Sequence, residues 1–202
     1  GIGEVIDRIP HSAIGEKGYG TRKVVVDGHS TDSTCEIARK RGAELIQQKT
    51  SQGKGLGVRE ALQSIFRGRE PNGDLLIMLD ADATYSPEDM PRFIEELQNN
   101  DVVWGSRMRG SIEDKAMSRT NRLGNKLLSL AASLLFLRKT TDLCTGYWGF
   151  RSKALNELAL TAEGFSLEAD LFGSVVKSKL KATEIPIDYA HREGTSTLRW
   201  YS

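Results

Sequence analysis

The alternation of short β-rich runs with longer amphipathic segments is the feature that most constrains the fold of this chain. Strands are rich in β-branched and aromatic residues, whereas amphipathic helices repeat their apolar residues every three or four positions. The predicted strands are Lys23 to Asp27, Glu44 to Ile46, Asp74 to Leu79, Val102 to Gly105 and Thr183 to Ile187. With helices between these strands, the order predicts an α/β fold whose mainly parallel sheet has helices on both faces.

The helices between the strands have recognisable starts, such as a polar cap or a proline in the first turn. The predicted helices run from a cap at Ser30 or Thr31 to about Arg41, from the turn Gly53 to Gly55 to about Phe66, and onward from Ser86-Pro87. Leu75 to Leu79 is apolar throughout, as expected of a central strand that is covered on both faces. The chain begins inside a predicted helix, Gly3 to Ile9, so we expect it to lack the strand with which such a sheet opens.

Length and composition exclude several classes of protein. The 202 residues are the length of one ordinary domain, and we expect a single domain over residues 1–202. Because 28 basic side chains balance 27 acidic ones, binding to nucleic acid is not expected. The two cysteines are far apart and the three histidines are scattered, which favours a reducing, cytoplasmic setting over a disulfide framework or a zinc site. No apolar run approaches the roughly 20 residues that cross a bilayer.

Two aspartates follow the apolar run Leu75 to Leu79, at the strand end where open parallel sheets bind their ligands. Asp80 and Asp82 are separated by one residue, and their carboxylates would repel each other unless a cation lay between them. Mg²⁺ or Mn²⁺ prefers such oxygen ligands and keeps positions open for phosphate oxygens. The alternative is a solvated turn in which Asp80 or Asp82 caps the next helix.

Basic residues follow other predicted strands. Lys54 lies between two glycines before a helix, where an ammonium group and backbone amides can meet a phosphate, although the spacing is not that of a Walker loop. The alternative, which the motif alone favours, is that the glycines only form a turn. Arg107 closes the strand Val102 to Gly105, where its guanidinium would overhang the same crevice, and Arg192 follows the last strand. Both suit bidentate phosphate recognition. Each taken alone is more typical of a surface ion pair, and it is their joint position at strand ends that favours phosphate binding.

The segment Met117 to Phe136 has a helical stripe of leucines with basic residues before it. The stripe consists of Leu123, Leu127, Leu130, Leu134 and Leu135, and the basic residues are Arg119, Arg122 and Lys126. One interpretation is a helix that meets a lipid phosphate and its tail at a membrane surface. The other is an ordinary core helix with a solvated basic end.

Taken together and in order, these motifs resemble those of family 2 glycosyltransferases. The motifs are Val24 to Thr34, Gly53-Lys54-Gly55, Asp80-Ala81-Asp82, Gly105-Ser106-Arg107 and Glu184 to Ile187, while Thr141 to Arg151 and Gly164 to Glu168 are similar to the dolichyl-phosphate mannosyltransferase branch and its archaeal relatives. The resemblance implies a GT-A fold and transfer of a sugar, with inversion, from a nucleotide diphosphate, GDP- or UDP-linked, to a polyprenyl (dolichyl) phosphate. It also implies a peripheral position at the cytoplasmic face of a membrane.

The resemblance implies a role for individual residues. The implied roles are nucleoside contact for Asp27, metal binding for Asp80 and Asp82, phosphate binding for Arg107 and Arg192, and acceptor phosphate contact for Ser118 and Arg122. Thr84 stands where the mannosyltransferases often have glutamine, and its hydroxyl could bind the metal directly or through water. Glu168, with Asp170, is a candidate to act as a base or to orient the donor sugar, unless these acidic residues only stabilise a helix first turn.

Two other functions fit parts of the pattern. Asp80-Ala81-Asp82-Ala83-Thr84 after an apolar strand also suits a haloacid-dehalogenase-like phosphatase with Asp80 as the nucleophile. The lack of an opening strand suits a module that binds nucleotide sugars without catalysis.

Overall fold

The computed structural model describes residues 1–49, 53–66, 73–162, 164 and 166–192. The strands are β1 (Val24–Asp27), β2 (Glu44–Gln47), β3 (Leu75–Met78), β4 (Val102–Ser106), β5 (Trp148–Arg151) and β6 (Ala182–Pro186). The α-helices are α1 (Ile2–Asp7), α2 (His11–Glu16), α3 (Thr34–Lys40), α4 (Lys54–Phe66), α5 (Met90–Leu97), α6 (Arg119–Leu135), α7 (Ser152–Leu155) and α8 (Leu167–Lys177). A short 3₁₀ helix, Pro87–Asp89, precedes α5.

In the described residues the strands form two sheets. β1 pairs in parallel with β2. The larger sheet has the order β3-β5-β4-β6, in which β5 is antiparallel to both of its neighbours and β4 is parallel to β6. Since β3, β4 and β6 therefore run in one direction, the predicted α/β fold with a mainly parallel sheet is confirmed, with one antiparallel strand inserted.

The five predicted strands are confirmed, each within one residue at either end. β5 was not predicted, because a four-residue run that contains Gly149 gives little strand signal of its own. The expected central position of the strand at Leu75 to Leu79 is wrong, since β3 lies at one end of its sheet. Its continuous apolar character instead reflects packing on both faces, because Leu76 and Leu75 contact different core clusters.

Helices cover both faces of the larger sheet. On one face α8 packs Leu171 and Phe172 against Trp104 and Trp148. On the other face α5 packs Phe93 among the apolar side chains of that side. All five residues of β4 are buried, which identifies β4 as the innermost strand.

The start of α3 differs from the prediction. The helix begins at Thr34, after an N-cap at Ser33, rather than directly after Ser30 or Thr31. Two carboxylates stabilise the preceding loop in a non-helical form, since Asp27 accepts hydrogen bonds from the amides of His29 and Ser30 and Asp32 accepts one from Thr34. Such local side-chain bonds compete with helix formation.

Candidate functional site

The two aspartates after β3 are each paired with a basic side chain from a distant part of the chain. The Nζ of Lys54, at the start of α4, lies 2.5 Å from Asp80 Oδ1. The Nε of Arg192 lies 2.8 Å from Asp82 Oδ2. The structure thus brings together four of the residues singled out in the sequence.

Lys54 also reaches the first turn of α8. Its Nζ lies 2.8 Å from Glu168 Oε1, so the ammonium bridges two carboxylates. Burial by itself lowers the pKa of the Lys54 ammonium, but its pairing with Asp80 and Glu168 outweighs burial and raises this pKa. Lys54 is therefore a cation over the whole physiological pH range. Asp170 lies elsewhere, where it accepts hydrogen bonds from the amides of Thr161 and Ala162.

Thr84 is buried and hydrogen-bonded to Asp82. Its hydroxyl donates a hydrogen bond of 2.6 Å to Asp82 Oδ1, and the residue is only 1% exposed. The hydroxyl therefore orients the carboxylate of Asp82, and contact of Thr84 with a metal, directly or through water, stays a prediction. The carbonyl of Thr84 accepts a hydrogen bond from Ala190, which brings the segment before Arg192 alongside this loop.

Gly146 makes room for the Asp80 carboxylate, a role that the sequence motif did not reveal. A Cβ at this position would lie 2.4 Å from Asp80 Oδ2, closer than real Cβ contacts allow. The amide of Gly146 donates to the hydroxyl of Tyr85, which is buried. Burial raises the pKa of Tyr85, so this phenol stays protonated and holds the glycine against Asp80.

Arg107 does not overhang the crevice as expected. It is 7% exposed, and its Nε and Nη2 each lie 2.7 Å from the carboxylate of Asp142. Nη2 also donates to the carbonyl of Cys144, and the guanidinium lies 5.1 Å from the ring centre of Tyr189. Because Arg107 pairs with a fully buried aspartate, its guanidinium is withdrawn from solvent although it follows a strand end. The two residues are far apart in the chain, so the sequence gives no direct signal of this pair.

Asp27 is also an internal residue. It is 3% exposed, and its carboxylate accepts hydrogen bonds from the amides of His29 and Ser30. Burial raises the pKa of Asp27, but hydrogen bonds from Ser30, Cys35 and His29 outweigh burial, so this pKa is lowered. Asp27 therefore holds the loop beyond β1 as a carboxylate. His29 is exposed there with a left-handed backbone of φ 65°, a conformation that is uncommon outside glycine.

The leucine stripe of α6 faces outward. The exposed leucines, between 52% and 92% accessible, are Leu123, Leu127, Leu128, Leu130, Leu134, Leu135 and Leu137. The buried residues of α6 are Asn125, Ser129 and Ala132, so the core-helix interpretation is wrong for the stripe. Ser118 is the N-cap of α6, with its hydroxyl accepting from the amide of Asn121, and Arg122 is exposed one turn later. No helix in the described part of the chain has the length and apolarity to cross a bilayer.

The donor atoms at Asp80 and Asp82 fit a hard divalent cation that also binds substrate oxygens. Both side chains offer carboxylate oxygens, the ligands that Mg²⁺ and Mn²⁺ prefer. Within the described ranges no cluster of three or more His, Cys, Asp or Glu side chains is arranged to hold a metal ion. The two aspartates would therefore hold an ion only together with oxygens from a bound phosphate or from water.

These features are those of a nucleotide-binding α/β protein. Ligands of open α/β sheets bind beyond the carboxyl ends of the strands, where this chain collects two carboxylates, a lysine and an arginine, as nucleotide-binding α/β proteins do. The family model described as "Glycosyl transferase family 2" matches residues 3–159, and the chain belongs to this family.

Relatives and solved structures agree with this assignment. The chain is 35% identical over 176 residues to the dolichyl-phosphate hexose transferase of Haloferax volcanii, covering 87% of this chain and 72% of that protein. It is 32% identical to glycosyltransferase AglJ of the same organism, covering 86% of this chain but only 56% of AglJ. A structure of glucosyl-3-phosphoglycerate synthase from Mycobacterium tuberculosis, in complex with Mn²⁺, UDP and glucosyl-3-phosphoglycerate, superimposes with a TM-score of 0.69 at 21% identity, covering 96% of this chain and 68% of that one. The GT-A fold is thereby confirmed.

Proposed function

We propose that this chain transfers a sugar, with inversion, from a GDP- or UDP-linked nucleotide sugar to a polyprenyl phosphate. The observation that supports the proposal most directly is the pairing of Asp80 with Lys54 and of Asp82 with Arg192 at the end of β3, in a chain of glycosyltransferase family 2. The similarity to the dolichyl-phosphate hexose transferase of Haloferax volcanii supports a dolichyl phosphate as the acceptor class.

The donor diphosphate is assigned to the end of β3. Asp80 and Asp82 would hold Mg²⁺ or Mn²⁺, which when bound offsets the negative charge of the diphosphate. Thr84 orients Asp82 through its 2.6 Å hydrogen bond. The cations of Lys54 and Arg192 already lie at these carboxylates, so both can donate hydrogen bonds to phosphate oxygens that arrive there.

The nucleoside is assigned to the loop beyond β1. Asp27 supports this binding indirectly, because its buried carboxylate fixes the backbone of His29 and Ser30. Positive-φ residues other than glycine cluster at sites where the surrounding structure enforces them. The backbone of His29 is thus held at the strand end, and its exposed imidazole lies where a base or ribose can contact it.

The acceptor is assigned to α6. Arg119, Arg122 and Lys126 are exposed near the start of the helix, beside the outward-facing leucines. A basic group next to an apolar face suits a lipid phosphate and its tail, and we assign α6 to the surface of a membrane. Because a phosphate monoester is already anionic near neutral pH, the attack needs little help from a base. Glu168, which is held by Lys54, therefore has a positioning role.

Sugar transfer by the Asp82→Asn variant tests the proposal. We expect loss of at least about a hundredfold in transfer of labelled sugar to polyprenyl phosphate, since electrostatic stabilisation of a leaving group is commonly worth that much. Chelation of divalent cations should have the same effect on the unchanged chain. Asp7→Asn is the matched control, because it removes a carboxylate from an exposed arginine pair outside the site.

Three results would contradict the proposal. Full transfer by Asp82→Asn in the presence of chelator would exclude a role for the metal. A phosphoryl group trapped on Asp80 would establish the phosphatase hypothesis. Tight binding of nucleotide sugar without any turnover would establish a non-catalytic binding module.

A further inference from the structure

Lys54 lies between two acidic side chains that belong to different elements. Its Nζ is 2.5 Å from Asp80 Oδ1, at the end of β3, and 2.8 Å from Glu168 Oε1, in the first turn of α8. The side chains of Lys54 and Asp80 are 29% and 32% exposed, whereas that of Glu168 is 13% exposed. The ammonium is thus anchored on its Glu168 side and more open to exchange on its Asp80 side.

The two oxygens of Asp80 have different surroundings. Oδ2 is the atom nearest to the position that a Cβ on Gly146 would occupy, at 2.4 Å, so the backbone of Gly146 covers that side. Oδ1 is the oxygen that accepts the hydrogen bond from Lys54. A cation that approaches the open side of Asp80 therefore meets an oxygen that is already neutralised by an ammonium group.

We propose that Lys54 makes the site select a metal–diphosphate complex over the free metal ion. A divalent cation alone must displace the ammonium from Asp80 and is then repelled by it at close range. When a diphosphate arrives with the metal, its oxygens accept the hydrogen bonds that Lys54 gives up at Asp80, while Glu168 keeps the ammonium in place. The inference rests on the proposed function, because it assigns the metal to Asp80 and Asp82.

Thermodynamic linkage turns this idea into a measurable quantity. Bound metal raises the affinity for diphosphate by a certain factor, and bound diphosphate raises the affinity for metal by the same factor. If Lys54 competes with the metal and contacts the diphosphate, it makes this coupling factor larger. Removing Lys54 should therefore strengthen binding of the metal alone and reduce the coupling. A lysine that only stabilises the fold would change neither quantity.

The experiment measures Mn²⁺ affinity by electron paramagnetic resonance on the full chain, without nucleotide and with saturating UDP or GDP. For Lys54→Met we expect about fivefold tighter binding of Mn²⁺ alone, which is the effect of an ion pair worth about 1 kcal/mol. We also expect the increase in Mn²⁺ affinity caused by the nucleotide to be about fivefold smaller than in the unchanged chain. Lys40→Met is the matched control, because it removes the same charge from an exposed pair with Glu36 and should leave both affinities unchanged.

The outcomes separate this inference from the proposed function. If the unchanged chain binds Mn²⁺ with nucleotide but Lys54→Met alters neither affinity nor coupling, the inference is wrong and the proposed function stands. If the unchanged chain binds no Mn²⁺ even with UDP or GDP, both are wrong. Lys54→Gln, which keeps a polar side chain of similar reach, replaces the methionine variant if that variant does not fold, and the same changes are expected of it.

Discussion

Asp80, Asp82 and Asp142 differ in how many groups pair or hydrogen-bond with their carboxylates. Asp80 and Asp82 are partly exposed, and each is paired with a long side chain that can move away. Asp142 is completely buried, and it accepts hydrogen bonds from the backbone amide and guanidinium of Arg107 and from the side-chain amide of Asn125. The first two can exchange their partners for a ligand, whereas Asp142 cannot without leaving a buried charge unpaired.

Asp142→Asn should therefore be strongly destabilising. An asparagine offers a single acceptor oxygen and directs its NH₂ group at donors, which leaves the buried guanidinium of Arg107 uncompensated. Breaking a buried ion pair in this way costs about 3–5 kcal/mol. Urea unfolding followed by circular dichroism would measure the change in the free energy of unfolding.

The control for Asp142→Asn is Glu36→Gln. This change also replaces a carboxylate by an amide, but the pair of Glu36 with Lys40 is exposed and lies within one helix. Its loss should cost less than about 0.5 kcal/mol. Equal effects of the two substitutions would show that burial of the Arg107 pair adds nothing to stability.

At the scale of elements, α6 has its polar residues inside and its leucines outside. Asn125 and Ser129 form hydrogen bonds with the loop 142–144, through Asp142, Cys144 and the amide of Leu143. These bonds replace the apolar packing that usually holds an amphipathic helix, so the leucine face is left free. An exposed apolar surface of this kind marks an interaction site.

Replacing leucines on that face should weaken binding to lipid. For the double variant Leu127→Gln, Leu134→Gln we expect a loss of about tenfold or more in partitioning to both neutral and anionic vesicles, because a fully buried leucine is worth roughly 1.5–3 kcal/mol. Co-sedimentation with vesicles would measure the partitioning.

A second double variant separates charge from apolar contact. Arg119→Gln, Arg122→Gln should weaken binding to anionic vesicles by about thirtyfold, at roughly 1 kcal/mol for each basic residue, and leave binding to neutral vesicles unchanged. If the leucine variant binds both kinds of vesicle as tightly as the unchanged chain, α6 does not contact lipid.

At the scale of the whole molecule, the site depends on segments that are far apart in the chain. Lys54, Asp80 and Glu168 belong to α4, the end of β3 and α8, and Arg192 follows β6. These four side chains lie together only in the folded state, so a ligand that contacts all of them binds only the folded chain. Ligands that bind only the folded state raise its apparent stability.

Mn²⁺ and the correct nucleoside diphosphate should therefore raise the melting temperature together. At ligand concentrations near one hundred times Kd the stabilisation is about 2.7 kcal/mol, which corresponds to roughly 5–10 °C for a chain of this size. Thermal unfolding with UDP and with GDP, each with Mn²⁺ or with chelator, would measure the shift. A shift that persists with chelator, or that Asp82→Asn retains, would contradict a metal bridge between the chain and the diphosphate.

Local pattern was sufficient to predict most of the elements. Five strands and the helix at residues 54–66 follow from runs of apolar residues and from turn residues that lie beside them in sequence. β5 escaped prediction because four residues with a central glycine give no periodic signal, and its antiparallel insertion depends on pairing with β3 and β4. Asp80, Asp82 and Lys54 could be proposed as site residues because their strand-end positions are visible in the sequence.

The amino-acid sequence by itself determined the α/β class, the strand ends that bear acidic and basic residues, and the presence of a leucine stripe in α6. Only the tertiary structure decided which side chains are buried: Arg107 and Asp27 are internal, and the leucines of the α6 stripe are exposed. The physical reason is that periodicity specifies which residues share a face of an element, whereas burial and charge pairing depend on residues such as Asp142 and Gly146 that reach the site from elsewhere in the chain.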